Sequence, residues 1–263
     1  MTSPNRQSSL DPMQPTSTDK KPFRWSFSQW ENYDGCPARW HFKSVLKLSG
    51  RPAGPAAARG LDLHDRVERY INGDLDLHAL TTADPNVKFG TKGQAIVAPK
   101  YIEVLDSFRN HNAANRHTEY KMAMDEEFHL CSPLTQMAAC ISVLDAQRYI
   151  RPDVTVDSVV EIAEWKSGSP KPTHADQRKL YALFGLRGWM ANEVRVTTYY
   201  LEHEDEPPQR LVVKDTAEEK LKAIWIQRVE LMKSDKICAP RPGVHCNWCD
   251  YSKRNGGPCA HGS

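Results

Sequence analysis

Apolar residues recur with a helical period at both ends of this chain and with a strand-like period in its middle. From residue 23, FRWSFSQWENYDGCPARWHFKSVLKL spaces its aromatic and apolar positions as a short helix does, with Pro37 breaking it or starting a turn beside Cys36. GRPAGPAAA, residues 50–58, reads as a loop. Residues 59–71 then put Leu63, Val67, Tyr70 and Ile71 on one helical face, with His64 one step off that stripe and Gly73 as the stop. Residues 73–92 carry no period, and 94–111 predict a helix turning Ile96, Val97, Ile102, Leu105 and Phe108 inward. The middle is richer in β-branched and aromatic residues. EEFHLCS (126–132), MAACISVLDAQRYI (137–150) and DSVVEIAEWK (157–166) predict three strands, separated by turn signals at Pro133 and at 151–153. A helix at 174–190, a strand at 194–202, a turn at EDEPPQR and an amphipathic helix at 215–233 follow. This order predicts an α/β fold with a central mixed sheet flanked by helices.

Composition narrows the picture. The 263 residues suffice for one core and an appendage. Residues 1–22, rich in Ser, Thr, Pro and Gln, bury too little to order themselves and are expected to form a tail ahead of a core at 23–235. No apolar run approaches the roughly 20 residues of a membrane helix, so no membrane partner is expected. No secretory signal opens the chain, and an intracellular, cytoplasmic setting in a bacterium or phage is expected. Seven cysteines in such a setting argue against a disulfide framework and for metal binding. A net charge of only +2 means that nucleic-acid contacts would come from local patches. Candidates are Lys171, Arg178, Lys179, Arg187 and Arg195, and Arg24, Arg39, Lys43 and Lys47 near Cys36, with Trp25, Trp30, Trp40 and Trp248 as aromatic surface. Such a mixture suits single-stranded nucleic acid, and equally suits solvated charges and core tryptophans.

The chemistry centres on two strands. In Glu164-Trp165-Lys166, alternation sends the carboxylate and the ammonium to one face and Trp165 to the other, with Glu161 on Trp165's side. Asp145 lies among Ile141, Val143 and Leu144, although aspartate is depleted in strand interiors. A hairpin around 151–156 would bring Asp145 to Glu164, and two adjoining carboxylates repel unless something such as a divalent cation neutralises them. Beside them, Lys166 could stabilise charge on a transferring phosphate. E-x-K is a common tripeptide, and a surface salt bridge is the bland alternative.

With these residues, the sequence resembles the PD-(D/E)XK nuclease superfamily, and within it the RecB-type branch that includes the AddB nuclease domain and the CRISPR-adaptation nucleases. The branch carries G-x-x-x-H on an early helix, matched by Gly60 to His64, and a Gln and a Tyr four apart after the E-x-K strand, matched by Gln177 and Tyr181. Ser142 stands where the family usually has glycine, and Leu144 precedes Asp145 instead of proline. The resemblance implies a restriction-endonuclease-like core and a DNA nuclease using Mg2+ or Mn2+. It further implies His64, Asp145, Glu164 and the Trp165 carbonyl as metal ligands, Lys166 as the catalytic lysine, and Gln177 and Tyr181 as positioning groups. The expected substrate is DNA, single-stranded or with free ends, degraded as by an exonuclease in recombination, repair or phage DNA processing. Endonuclease action stays open. The alternatives are a non-catalytic DNA-binding or adaptor protein keeping the fold, and a zinc-ribbon interaction module on an unrelated enzyme core.

The end, residues 236–263, is Cys-rich and loop-like. Cys246-x-x-Cys249 is a chelating pair, Cys259 follows in a segment able to fold back, and Cys36 is a distant fourth candidate. Four thiolates suit a [4Fe–4S] cluster or tetrahedral Zn2+, for which His245 or His261 could replace one cysteine. RecB-type nucleases with an iron–sulfur cluster use one early Cys followed by Pro and three late ones. That resemblance implies Cys36, Cys246, Cys249 and Cys259 as cluster ligands stapling the chain's two ends. Cys238 is spare, and Cys131 and Cys140 are expected to be small buried hydrophobes.

Overall fold

The computed structural model describes residues 21–52, 54–151 and 158–262; the expected tail, apart from Lys21 and Pro22, and the expected turn at 151–156, apart from Arg151, lie outside these. Helix α1 (Phe27–Gly35) starts at Ser26, whose hydroxyl accepts the Gln29 N–H. Pro37 opens α2 (Pro37–Trp40), with Cys36 in extended conformation at the corner between the two. Helix α3 (Pro55–Asn72) takes in most of the alanine-rich stretch expected as a loop, because Pro55 is tolerated at a first helical position and alanine favours helix. Gly73 ends α3 at φ 91°.

A short α4 (His78–Thr81) and a hairpin of β1 (Lys88–Phe89) with β2 (Lys92–Gly93) lead to α5 (Ile102–Arg109). The helix expected over 94–111 is therefore only its second half. Pro99 admits no helix before it, and the Val97 and Ala98 N–H groups instead donate to the Leu80 and Leu201 carbonyls. Ile96, expected inside, is exposed.

Strand β3 (Arg116–Met124) was hidden by its polar sequence, and only its last three residues are buried. The strand expected at 126–132 shrinks to β4 (Leu130–Cys131), since the Asp125 carboxylate takes the Glu127 and His129 N–H groups and forces a turn. Strands β5 (Cys140–Arg151), β6 (Val159–Lys166) and β7 (Glu193–Tyr200) and helices α6 (Thr173–Trp189) and α7 (Glu218–Ser234) follow the expected pattern. Strand β8 (Gln209–Lys214) takes in Gln209 and Arg210, the last two residues of the expected turn.

Among the described residues, six strands form one sheet in the order β4-β3-β5-β6-β7-β8. Strand β6 is central, antiparallel to β5 and parallel to β7, with α6 as the crossover. It is buried on both sides: Val160 and Ile162 join a core with α1, α6 and α7, while Ala163 and Trp165 join a second core with α3 and α5. Trp25, Trp30 and Trp40, candidates for an aromatic surface, are buried in the first core, where Trp25 stacks on Trp225 at 5.4 Å. The mixed sheet flanked by helices is thus the expected fold class. No described helix is long and apolar enough to cross a membrane.

Gly185 brings α6 down onto β6 and β7. A Cβ there would stand 2.7 Å from Val194 Cγ1. Gly185→Ala should lower stability by about 1–2 kcal/mol net, overpacking outweighing the helix-propensity gain of about 1 kcal/mol. Adding Val194→Ala should blunt that overpacking cost, and urea denaturation of Gly185→Ala, Val194→Ala and the double variant measures both.

Candidate active site

The ladder between β5 and β6 pairs Ala146 with Ala163 and goes no further toward the open end of β6. One residue on, the Asp145 side chain takes over from its backbone: Oδ2 accepts the Trp165 N–H at 2.7 Å. An aspartate inside an apolar strand is therefore anchored by the strand it would otherwise have paired with. Glu164 and Lys166 emerge next to it and pair through Glu164 Oε1 and Lys166 Nζ. Trp165 packs on the opposite side against Phe108 and Tyr199, as strand alternation requires. Glu161, on Trp165's side of β6, is held by Arg148 at 2.6 Å and Arg210 at 3.6 Å as a structural ion pair.

Two helices complete the site. From α6, Gln177 Nε2 donates to Glu164 Oε1 at 2.8 Å and reaches the Tyr181 hydroxyl at 2.9 Å, which in turn donates to the Val143 carbonyl at 3.0 Å. From α3, His64 Nδ1 comes to 3.6 Å from Asp145 Oδ2, with the Trp165 main chain beside the ring. Gly60, one turn before His64, lets α3 approach the segment after β6: a Cβ there would sit 3.0 Å from Ser167 Oγ. A cleft opens beside these groups, lined among others by His64, Lys166 and Gln177, by Glu31 from α1, and by Lys171 and His174.

The structure adds Glu119, which the sequence did not single out. It stands in β3 at φ 46°, an uncommon conformation for a residue other than glycine, at the position where the β3–β5 pairing skips Asp145. A ligand atom from each of His64, Glu119 and Asp145 lies within 4.8 Å of the others. No apolar alternation marks RHTEYKMAM as a strand, so nothing in the sequence pointed at Glu119.

Electrostatics here are those of a site short of positive charge. Burial, then the neighbouring Glu164, hold the Asp145 carboxyl well above the usual carboxylate range. Burial works to lower the Lys166 ammonium, but Glu164 and Asp145 outweigh it and raise its pKa, so Nζ keeps its proton. Burial lowers His64, leaving a neutral ring fit to ligate. Burial, then Glu164, push the Tyr181 hydroxyl far up. Glu164 Oε2 is buried with no hydrogen-bond partner among the described residues. A lone buried carboxylate oxygen, a neutral imidazole and a second carboxylate held toward neutrality are donors that fit a hard divalent cation.

Cys36, Cys246, Cys249 and Cys259 line one cavity between the α1–α2 corner and the C-terminal segment. The Arg241 N–H points at Cys36 Sγ at 3.4 Å, and Cys259 returns through its N–H to the Tyr251 carbonyl at 2.8 Å. Gly257 makes that return possible, since any Cβ would overlap the Tyr251 backbone. His245 Nε2, in the same cavity lining, is buried without a partner among the described residues. Cys238 lies apart, its N–H on Asp235, and Cys140 is a buried small residue, while Cys131 is only partly so.

Several of the basic residues considered as substrate contacts are paired with carboxylates. Arg187 pairs with Glu218, Arg195 with Glu193 and Lys179 with Asp176, whereas Lys171 lines the cleft. Of the four tryptophans considered, Trp248 alone is exposed.

A model of the PD-(D/E)XK nuclease superfamily matches residues 24–254. No curated protein matches the sequence. Among solved structures, a candidate exonuclease from Eubacterium rectale is similar at 13% identity and TM-score 0.44, over 95% of this chain and 94% of that one. LHK-Exo in complex with dAMP is similar at 10% identity and TM-score 0.37, over 80% of this chain and 88% of that one.

Because the Asp145 carboxyl is raised above its unfolded value of about 4, its contribution to stability is fully present below that value and lost as pH rises through the raised one. In EDTA at pH 7.5, Asp145→Asn should therefore melt a few degrees above the unsubstituted protein, and the gap should narrow by pH 5. Adding Mn2+ should raise the melting temperature of the unsubstituted protein and leave Asp145→Asn unmoved. Equal melting curves in EDTA would sink the assignment of strain to Asp145.

Proposed function

The chain belongs to the PD-(D/E)XK nuclease superfamily, and from that premise we propose that it is a Mg2+- or Mn2+-dependent deoxyribonuclease of the RecB type, cutting single strands or free ends as an exonuclease. The observation that carries the reading is the buried, unpartnered Glu164 oxygen beside an Asp145 that repels it. His64, Asp145 and Glu164 would hold the cation, with the Trp165 carbonyl as a further ligand. Bound there, a divalent cation supplies Lewis acidity toward a phosphoryl oxygen and an acidified water.

The rest of the work falls to the chain's own groups. Lys166, charged and aimed into the cleft, balances negative charge gathering on the phosphate under attack. Gln177 holds Glu164 Oε1 and so turns Oε2 free, while Tyr181, fixed between Gln177 and the Val143 carbonyl, locks the amide in that orientation. The Trp165 N–H fixes Asp145 before any ligand arrives, which avoids reorganisation at the moment of reaction.

In the same reading, residues 23–235 are the nuclease core, and residues 236–263 with Cys36 hold a [4Fe–4S] cluster. Four cysteines around one cavity and the buried, unpartnered His245 support a metal centre there. Four thiolates suit a [4Fe–4S] cluster, and the same ligands would also suit tetrahedral Zn2+.

On labelled DNA with Mn2+, Lys166→Ala should lose at least about 100-fold in rate while still binding the cation. Equal cleavage by both proteins would overturn the role of Lys166, and inactivity of the unsubstituted protein would favour a non-catalytic adaptor. Anaerobic purification should give a coloured protein with about four iron atoms per chain, lost in Cys246→Ala. A colourless protein with stoichiometric zinc would replace the cluster by zinc.

A further inference from the structure

His174 stands at the mouth of α6, nine-tenths buried, and lines the same cleft as Lys166. Its Nδ1 is occupied twice: the Lys171 N–H donates to it at 3.3 Å and the Tyr200 hydroxyl lies 2.9 Å away. A backbone N–H can only donate, so Nδ1 is an acceptor and carries no proton; the proton of the neutral ring is on Nε2. Among the described residues, both hydrogen bonds to the ring fall on Nδ1 and none on Nε2, and His174 lines the cleft.

The groups around the ring keep it neutral. Burial, then Lys166 and Lys171, lower its pKa to about 4, against the opposing pull of Glu31 on α1 and Glu164 on β6. Tyr200 is itself held by Arg178, so the acceptor side of the ring is braced from β7 and α6 together. The ring stacks on Tyr200 with centroids 5.8 Å apart, which fixes its plane. A neutral imidazole with a single outward N–H, next to two ammonium groups, is a hydrogen-bond donor for an anion and cannot serve as a proton acceptor at that atom.

Resting on the nuclease reading above, we propose that His174 is a substrate-binding residue whose Nε2–H donates to a non-bridging phosphate oxygen of a nucleic-acid strand lying in the cleft. Lys171 and Lys166 supply the charge; His174 supplies a fixed direction without adding charge. It takes no part in proton transfer.

Two near-isosteric substitutions test this in the full-length, anaerobically purified protein. His174→Asn keeps a polar atom near the Nδ1 position and loses the outward donor. His174→Gln keeps a donor near the Nε2 position. Steady-state cleavage of a labelled single-stranded oligonucleotide with Mn2+, and its equilibrium binding with Ca2+ in place of Mn2+, are measured for both. The Asn variant should lose about 10- to 100-fold in kcat/KM, carried by KM, and a similar factor in Kd. The Gln variant should stay within about threefold on both, and its pH–rate profile from 5.5 to 8 should keep the unsubstituted shape, since a ring that titrates near 4 adds no limb there. Equal losses in both variants, unchanged behaviour in both, or a pH limb missing from the Gln variant would overturn the proposal. If the unsubstituted protein does not cleave, the nuclease reading falls, and the binding arm still decides whether His174 contacts the strand.

Discussion

Two carboxylates that should not share a site govern this molecule. Asp145 and Glu164 are both buried on neighbouring strands, and burial together with Glu164 raises the cost of ionising Asp145. One ammonium, that of Lys166, faces both carboxylates. Lys166 answers Glu164 Oε1, the Trp165 N–H answers Asp145 Oδ2, and Glu164 Oε2 is left with no partner among the described residues. A fold selected for stability alone would have replaced such a pair with apolar residues of like size. Such a pair marks a place where stability is given up, and under the function proposed above a divalent cation would supply the missing positive charge.

The architecture around the pair keeps that tension from dissipating. Strand β6 is central, with a parallel neighbour on one side and an antiparallel one on the other, and cores of different composition cover its two faces. The strand cannot shift to relieve the charges without moving Trp165 out of its aromatic contacts with Phe108 and Tyr199. On the β7 side, α6 is brought close by Gly185, and this seats Gln177 and Tyr181 over Glu164. On the other side, Gly60 brings α3 close enough for His64 to meet Asp145. Small residues at two helix contacts thus convert sheet geometry into side-chain geometry.

The same cleft combines charged and neutral donors. Lys166 keeps its proton because acidic neighbours outweigh its burial, whereas His174 loses its own because burial and two lysines act together. Residues of one sign of charge at one mouth therefore differ in protonation through their immediate partners.

Much was legible from the sequence. Alternation alone put Glu164 with Lys166 and away from Trp165, and helical spacing alone put Leu63, Val67, Tyr70 and Ile71 inside. The α/β class followed from the order of periodic segments. These features are local: they depend on 2.0- and 3.6-residue repeats that any reader of the chain can count. What only the tertiary structure decided was non-local. Strand β3 has no alternating pattern because much of it faces solvent, and with it Glu119 stayed hidden until the sheet brought its carboxylate beside His64 and Asp145. Ile96 read as core and is exposed, since Pro99 cut the helix that would have buried it. Trp25, Trp30 and Trp40 could as well have been surface as core; packing on Trp225 of α7 put Trp25 and Trp30 inside, and packing on Phe23 and Tyr33 did so for Trp40. The convergence of Cys36 with three cysteines some 210 residues later on one cavity is of the same kind. Period and propensity fix what each segment becomes; which distant segments meet is set by the burial of surfaces that the sequence leaves unpaired.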